Sequence, residues 1–169
     1  MGNMIVWTKQ NKNILKELDK TGRYIVKKEY IEKDLGEYAH LVLEVYHWLT
    51  RNSPTVSIKP KDVEYPIWVS LKQEATMLLD PNSVILELAI DINRIAYVNI
   101  DKWGTILNYS YIPVDQQDKQ RHQAMLDSYG ISDTHAYMSH FYPQIKREII
   151  ASWPRLFDDS IIIGGRNCY

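Results

Sequence analysis

The chain has 169 residues, 45% of them hydrophobic, with 20 basic and 21 acidic side chains for a formal charge of −1. This length and balance suit one globular domain, residues 1–169, able to bury a core without disulfides or metals, and they exclude a disordered or low-complexity chain. A near-zero charge gives no sign of nucleic-acid binding, which needs a local basic excess. The single cysteine, Cys168, rules out an intramolecular disulfide, and no apolar run reaches the roughly 20 residues of a membrane span. No basic start with an apolar leader opens the chain, and together these features point to a soluble cytoplasmic protein. Twelve Tyr and five Trp stand against two Phe, so most rings carry a polar tip suited to half-buried positions, interfaces or ligand-stacking walls.

In chain order, Met4 to Thr8 reads as a short strand. Thr8 or Asn11 caps a helix with the stripe Ile14, Leu15 and Leu18, and Gly22 stops it. Tyr24 to Val26 reads as a second short strand. Glu37 to Thr50 is the clearest helix, with Leu41, Val42, Val45, Trp48 and Leu49 at the spacing of one buried face. Arg51 to Lys61 contains two prolines and forms a loop. Val63, Tyr65, Ile67 and Val69 alternate as a strand that Pro66 confines to an edge. Val84 to Ile90 alternates cleanly as a strand, and Ile95 to Ile100 is a partner for it.

Asp101 opens a short helix through Asn108, and Tyr109 to Val114 is irregular or extended. Gln116 to Tyr129 is a polar helix ended by Gly130. Ser132 caps another helix to Tyr142, Pro143 starts a further one that Pro154 breaks, and Ile161 to Ile163 is a last strand. Strands and helices mix without βαβ alternation. The fold class is therefore α+β, with a mixed or mainly antiparallel sheet flanked by helices.

Several groups carry possible chemistry. His40, Glu44 and His47 fall on one helical stripe, the arrangement of metal ligands on a helix and equally of a solvated polar face. Glu87, in the middle of the strongest strand, stands either on a wet sheet face or in a cleft. In a cleft it would serve as a base or stabilise a developing cation. Tyr65, Pro66 and Trp68 form a rigid aromatic group able to sandwich a flat heterocycle or simply to pack. Gly164-Gly165-Arg166 offers backbone N–H groups and a guanidinium to a phosphate.

Four segments in this order carry a family resemblance: Val6-Trp7-Thr8-Lys9-Gln10; Tyr65-Pro66-Ile67-Trp68; Leu86-Glu87-Leu88 with Asn99-Ile100-Asp101-Lys102-Trp103 and Leu107-Asn108; and Ser152-Trp153-Pro154-Arg155-Leu156-Phe157-Asp158. Together they resemble an uncharacterised family of bacterial and phage proteins known as a domain of unknown function. That resemblance transfers no activity. It implies a further Trp-containing strand and helix past the last strand, where this chain stops at Tyr169. The opening, Trp7-Thr8 through Leu18 to Gly22, is also similar to the start of small ADP-ribosyltransferases and RNA 2′-phosphotransferases, with Trp7 in place of their usual His. This second likeness implies an NAD-dependent transferase with Trp7, Thr8 and Gln10 at the nucleotide. The family's late acidic residue has no match here, and the reading is completed from the residues above, with Tyr65 and Trp68 around the ring and Glu87 as the charge-stabilising carboxylate.

Three functions compete on these readings. They are a nucleotide-handling enzyme of that kind, a non-catalytic module that binds a protein partner through its polar aromatics, and a metal-dependent hydrolase using His40, Glu44 and His47. The sequence does not decide whether the chain is an enzyme.

Overall fold

The computed structural model describes residues 2–163, and their contacts divide into two compact units, residues 1–96 and 97–169. The class is α+β, as the interleaved patterns imply. In the first unit, β1 (Asn3–Asn11) pairs antiparallel with β2 (Ser83–Asp91) in an unbroken register from Asn3 opposite Asp91 to Asn11 opposite Ser83. Partners directly opposite share a face. Val6 and Thr8, 0% and 3% exposed, therefore point inward with Leu88 and Leu86, while Trp7 shares the outer face with the exposed Glu87.

Between the paired strands lie three helices. The first, α1 (Asn13–Thr21), ends at Gly22, whose φ of 68° lets its N–H turn back to the Leu18 carbonyl at 2.7 Å. Asn11, not Thr8, serves its start: the Asn11 Oδ1 accepts from the Asn13 N–H at 3.0 Å. Thr8 instead remains in the strand. The second helix, α2 (Lys28–Leu35), escaped the periodicity argument because it buries one apolar residue, Ile31. The third, α3 (Ala39–Asn52), follows a 3₁₀ turn at Gly36–Tyr38. Its fully buried apolar side chains are Ala39, Leu43, Val45 and Leu49, a face rotated from the predicted stripe. The rotation brings Ala39 and Leu43 into one cluster with Ile31 and Tyr65.

Two predicted strands of this unit form no ladder. Tyr24 to Val26 has no strand partner, and the chain after Val63 to Val69 makes a single backbone bridge to β1, where Ser70 exchanges N–H···O bonds of 2.9 and 2.7 Å with Trp7. Pro66 has no N–H to donate, so a longer ladder there would lack a rung. Ile95 to Asn99 likewise forms no strand; a 3₁₀ turn at Ile92–Arg94 leads it away from β2.

The second unit is helical among the described residues: α4 (Ile100–Leu107), α5 (Gln116–Tyr129), α6 (Asp133–Met138) and α7 (Pro143–Ser152), then a 3₁₀ turn at Trp153–Phe157. Asn99, rather than Asp101, caps α4, its Oδ1 accepting from the N–H groups of Asp101 and Lys102. Helix α6 stops at Met138, short of Tyr142, and Pro143 opens α7 at the position where a missing N–H costs nothing. Ile161 to Ile163 is not a strand. Gly164-Gly165-Arg166 and Cys168 lie outside the described residues.

Lys102 links two of the resembling segments. Its side chain is 1% exposed, and its Nζ donates to the carbonyls of Arg155 (3.1 Å) and Asp158 (2.6 Å). An ammonium buried this deeply survives only with such partners. Burial still pulls its pKa below the usual lysine value, against the pull of Asp158 and Asp159. The start of α4 is thereby tied to the Trp-Pro-Arg-Leu-Phe-Asp turn.

Candidate functional site

The residues singled out in the sequence divide between the two faces of the β1–β2 ladder and the core. Trp7 and Glu87 are direct cross-strand partners on the outer face. Thr8 and Gln10 belong to the inner face, so Glu87 is turned away from both. Tyr65 is 2% exposed and packs against His47, with ring centroids 5.3 Å apart and its hydroxyl 3.4 Å from His47 Nε2. It is a core residue closed to a ligand. Trp68 is 37% exposed and donates from Nε1 to the Tyr46 hydroxyl at 3.2 Å, its ring lying 6.2 Å from that of Tyr46 and tilted by 50°.

His40, Glu44 and His47 do not act as a set. The His40 Nδ1–H donates to the Glu37 carbonyl at 2.8 Å, and His47 is engaged with Tyr65. Among the described residues no group of three or more His, Cys, Asp or Glu side chains could hold a metal ion.

Gln10 leads to a site that sequence reasoning missed. It lines a cavity of about 280 Å³ formed by the end of β1, the first turns of α1, Tyr24 and α2. Ile14, Glu17, Tyr24, Glu29 and Tyr30 line this cavity alone. Gln10, Asn11, Asn13, Lys33 and Asp34 also line a second cavity of about 760 Å³, which Lys12 and the segment from Met77 to Ser83 complete. The shared residues make the two adjacent, each in the size range that small ligands occupy.

Rings and oxygens dominate the smaller end. Tyr24 and Tyr30 lie parallel, with centroids 6.2 Å apart and planes within 4°. The Tyr30 hydroxyl donates to Glu17 Oε2 at 3.0 Å, and Glu17 also faces Lys27 at 3.5 Å. Burial, reinforced by Tyr30, Glu17 and Asp34, pushes the Tyr24 phenol up to about 12. The same carboxylates that oppose a phenolate there would attract a positively polarised ligand group.

Cations mark the larger end. Lys9 is committed: its Nζ lies 3.0 Å from the Asp80 carboxylate, which it holds below the usual carboxylate range, and it also donates to the Leu78 carbonyl at 2.5 Å. Lys12 and Lys33 make no salt bridge among the described residues. The only sequence signal for this site was Gln10, because its walls come from four segments whose proximity no spacing reveals.

A second polar cluster occupies the other unit. Tyr111 stacks on His122 with centroids 4.0 Å apart and planes 10° from parallel, and its hydroxyl donates to the Asp118 carboxylate at 2.8 Å. His122 Nε2–H donates to Asp133 at 2.6 Å, while its Nδ1, 3.6 Å from Glu148, has no hydrogen-bond partner. Arg121 bridges Asp118 and Glu148. At 4% exposure His122 is beyond the reach of a substrate. This network fastens residues 109–114 to α5 and belongs to the architecture.

No helix among the described residues is long and apolar enough to cross a membrane. No curated protein and no solved structure matches the chain. A family model does match, over residues 5–168, and covers all four resembling segments. The chain belongs to the family described as Domain of unknown function (DUF3841).

Proposed function

We propose that the first unit binds a nucleotide in the cleft between the end of β1, α1 and α2. One observation carries this reading: a ring-lined, carboxylate-bearing cavity adjoins, along five shared residues that include Lys33, a larger cavity bearing Lys12. A nucleotide has the matching polarity, a flat heterocycle at one end and phosphate at the other. Base–ring stacking contributes about 1–3 kcal/mol per ring, and an ammonium on a phosphate adds a charge-assisted bond. AMP, ATP and NAD are members of this class. ADP-ribosyl transfer is left out of the proposal, since Glu87 stands on the face of the ladder opposite Thr8 and Gln10.

Titration calorimetry with AMP, ATP and NAD tests the reading. Saturable binding that weakens about tenfold in Lys12→Ala/Lys33→Ala and is untouched by Glu87→Gln is the expected result; tenfold corresponds to about 1.4 kcal/mol. Absence of saturable binding by all three nucleotides would refute it. A protein-binding module is the second reading. It is supported by three consecutive exposed apolar side chains, Met77, Leu78 and Leu79, at 77%, 92% and 58% exposure.

A further inference from the structure

A chain of directed hydrogen bonds runs into the smaller cavity from the inner face of β1. The Thr8 hydroxyl lies 2.7 Å from the Trp68 carbonyl, an acceptor only, so its single proton points there. Towards Gln10, 3.0 Å away, the same hydroxyl can only accept. The Gln10 amide nitrogen must therefore face Thr8. Its oxygen is turned the other way, to the Tyr24 hydroxyl at 3.4 Å.

That orientation leaves the inner end of the cleft rich in acceptors. Tyr24 and Tyr30 have already spent their protons, on Gln10 and Glu17 respectively. Glu17 and Glu29 are carboxylates, which accept only, and Ile14 is apolar. The remaining side-chain donors of the smaller cavity, the second Gln10 amide N–H together with Asn11, Asn13 and Lys33, belong to residues it shares with the larger one. A ligand group seated between the Gln10 oxygen and Ile14, Glu17, Tyr24, Glu29 and Tyr30, which line the smaller cavity alone, meets lone pairs and ring faces and has to bring hydrogens of its own.

We propose that the inner cavity selects heterocycles bearing an exocyclic amine over their keto counterparts, with Thr8 as the positioning residue that fixes the Gln10 amide. This rests on the nucleotide reading above. An amino group supplies two N–H donors to the Gln10 oxygen and the Glu17 carboxylate. A keto oxygen at the same position would set lone pair against lone pair at the Gln10 oxygen and the Glu17 carboxylate, a mismatch of the kind by which polar sites discriminate.

AMP with IMP, and CMP with UMP, are pairs that differ by this exchange and by the proton the keto form carries on the adjacent ring nitrogen, and their dissociation constants on the full chain make the test. AMP should bind at least tenfold more tightly than IMP, and CMP more tightly than UMP. Thr8→Val removes the anchor and lets the amide rotate, so the AMP/IMP ratio should fall towards one. Thr8→Ser keeps the hydroxyl and should keep the ratio. Equal or tighter binding of IMP and UMP, with AMP and CMP bound, overturns the amine preference and leaves the nucleotide reading standing. If none of the four binds, the nucleotide reading falls and the preference with it. The wild-type ratio needs no variant, so a failure of Thr8→Val to fold does not protect the proposal.

Discussion

Tyr24 connects the electrostatics of the cleft to stability, and replacing it with Phe isolates the effect. Burial, with Tyr30, Glu17 and Asp34, lifts its phenol from 10.0 to about 12. The unfolded chain ionises Tyr24 near 10, whereas the folded chain keeps it neutral for about two units more. The folded pKa is the higher one, so the stabilisation is fully present below pH 10 and is lost as pH rises from 10 towards 12. Each unit is worth about 1.36 kcal/mol, giving an upper bound of about 2.7 kcal/mol. Tyr24 keeps part of its surface in water, which reduces the expected loss to about 1–2 kcal/mol. Urea unfolding of wild type and Tyr24→Phe at several values between pH 8.5 and pH 11.5 measures it, because the difference cancels the other eleven tyrosines. Wild type should lose about 1–2 kcal/mol relative to the variant across that window. A wild type-minus-variant absorbance difference should show the Tyr24 phenolate arising well above pH 10. Parallel stability curves, or a phenolate that appears near pH 10, would refute the assignment of a dehydrated, negatively surrounded cavity.

Two further predictions concern the second unit. Burial alone would raise the Asp118 pKa, but the Val114 N–H, the Tyr111 hydroxyl and Arg121 together hold it below the usual carboxylate range. Asp118→Asn should cost about 2–4 kcal/mol at pH 7 in urea unfolding, as expected when charge-assisted bonds are lost around a largely buried carboxylate. A carboxylate with a depressed folded pKa stabilises above its unfolded pKa and loses that contribution as pH falls through the folded value. The gap to wild type should therefore hold from pH 7 to about pH 4 and narrow below; a gap that closes by pH 5 would contradict it. Lys102→Met keeps the apolar stem but strands the carbonyls of Arg155 and Asp158. It should lower stability by about 2–4 kcal/mol, and a change under about 0.5 kcal/mol would show that the two carbonyls find other partners.

The paired strands and most helices were legible because their signals are local. Val84, Leu86, Leu88 and Ile90 alternate at the strand period, Gly22 and Gly130 supply the left-handed turns that end α1 and α5, and Pro143 marks the start of α7. The over-predicted strands failed for a shared reason. Val63 to Val69 and Ile95 to Ile100 have strand-like composition, but a strand exists only where another chain segment takes its N–H and C=O groups. Helix α2 was missed because one buried residue, Ile31, leaves no periodicity to read. Of the proposed site residues, Gln10 lines the cleft and Thr8 stands behind it, while Glu87 and Tyr65 have the right chemistry in the wrong surroundings.

By itself, the order of residues determined the α+β class, the family, the two long strands and the helix-ending glycines, because these depend on neighbours a few positions apart. Only the tertiary structure decided that Trp7 faces Glu87, that Tyr65 is sealed in the core, and that Glu17, Tyr24, Tyr30 and Lys33 meet beside Gln10. Those facts depend on strand pairing and on how helices return to the sheet. The free energy of both comes from burial summed over distant segments, which no local pattern encodes.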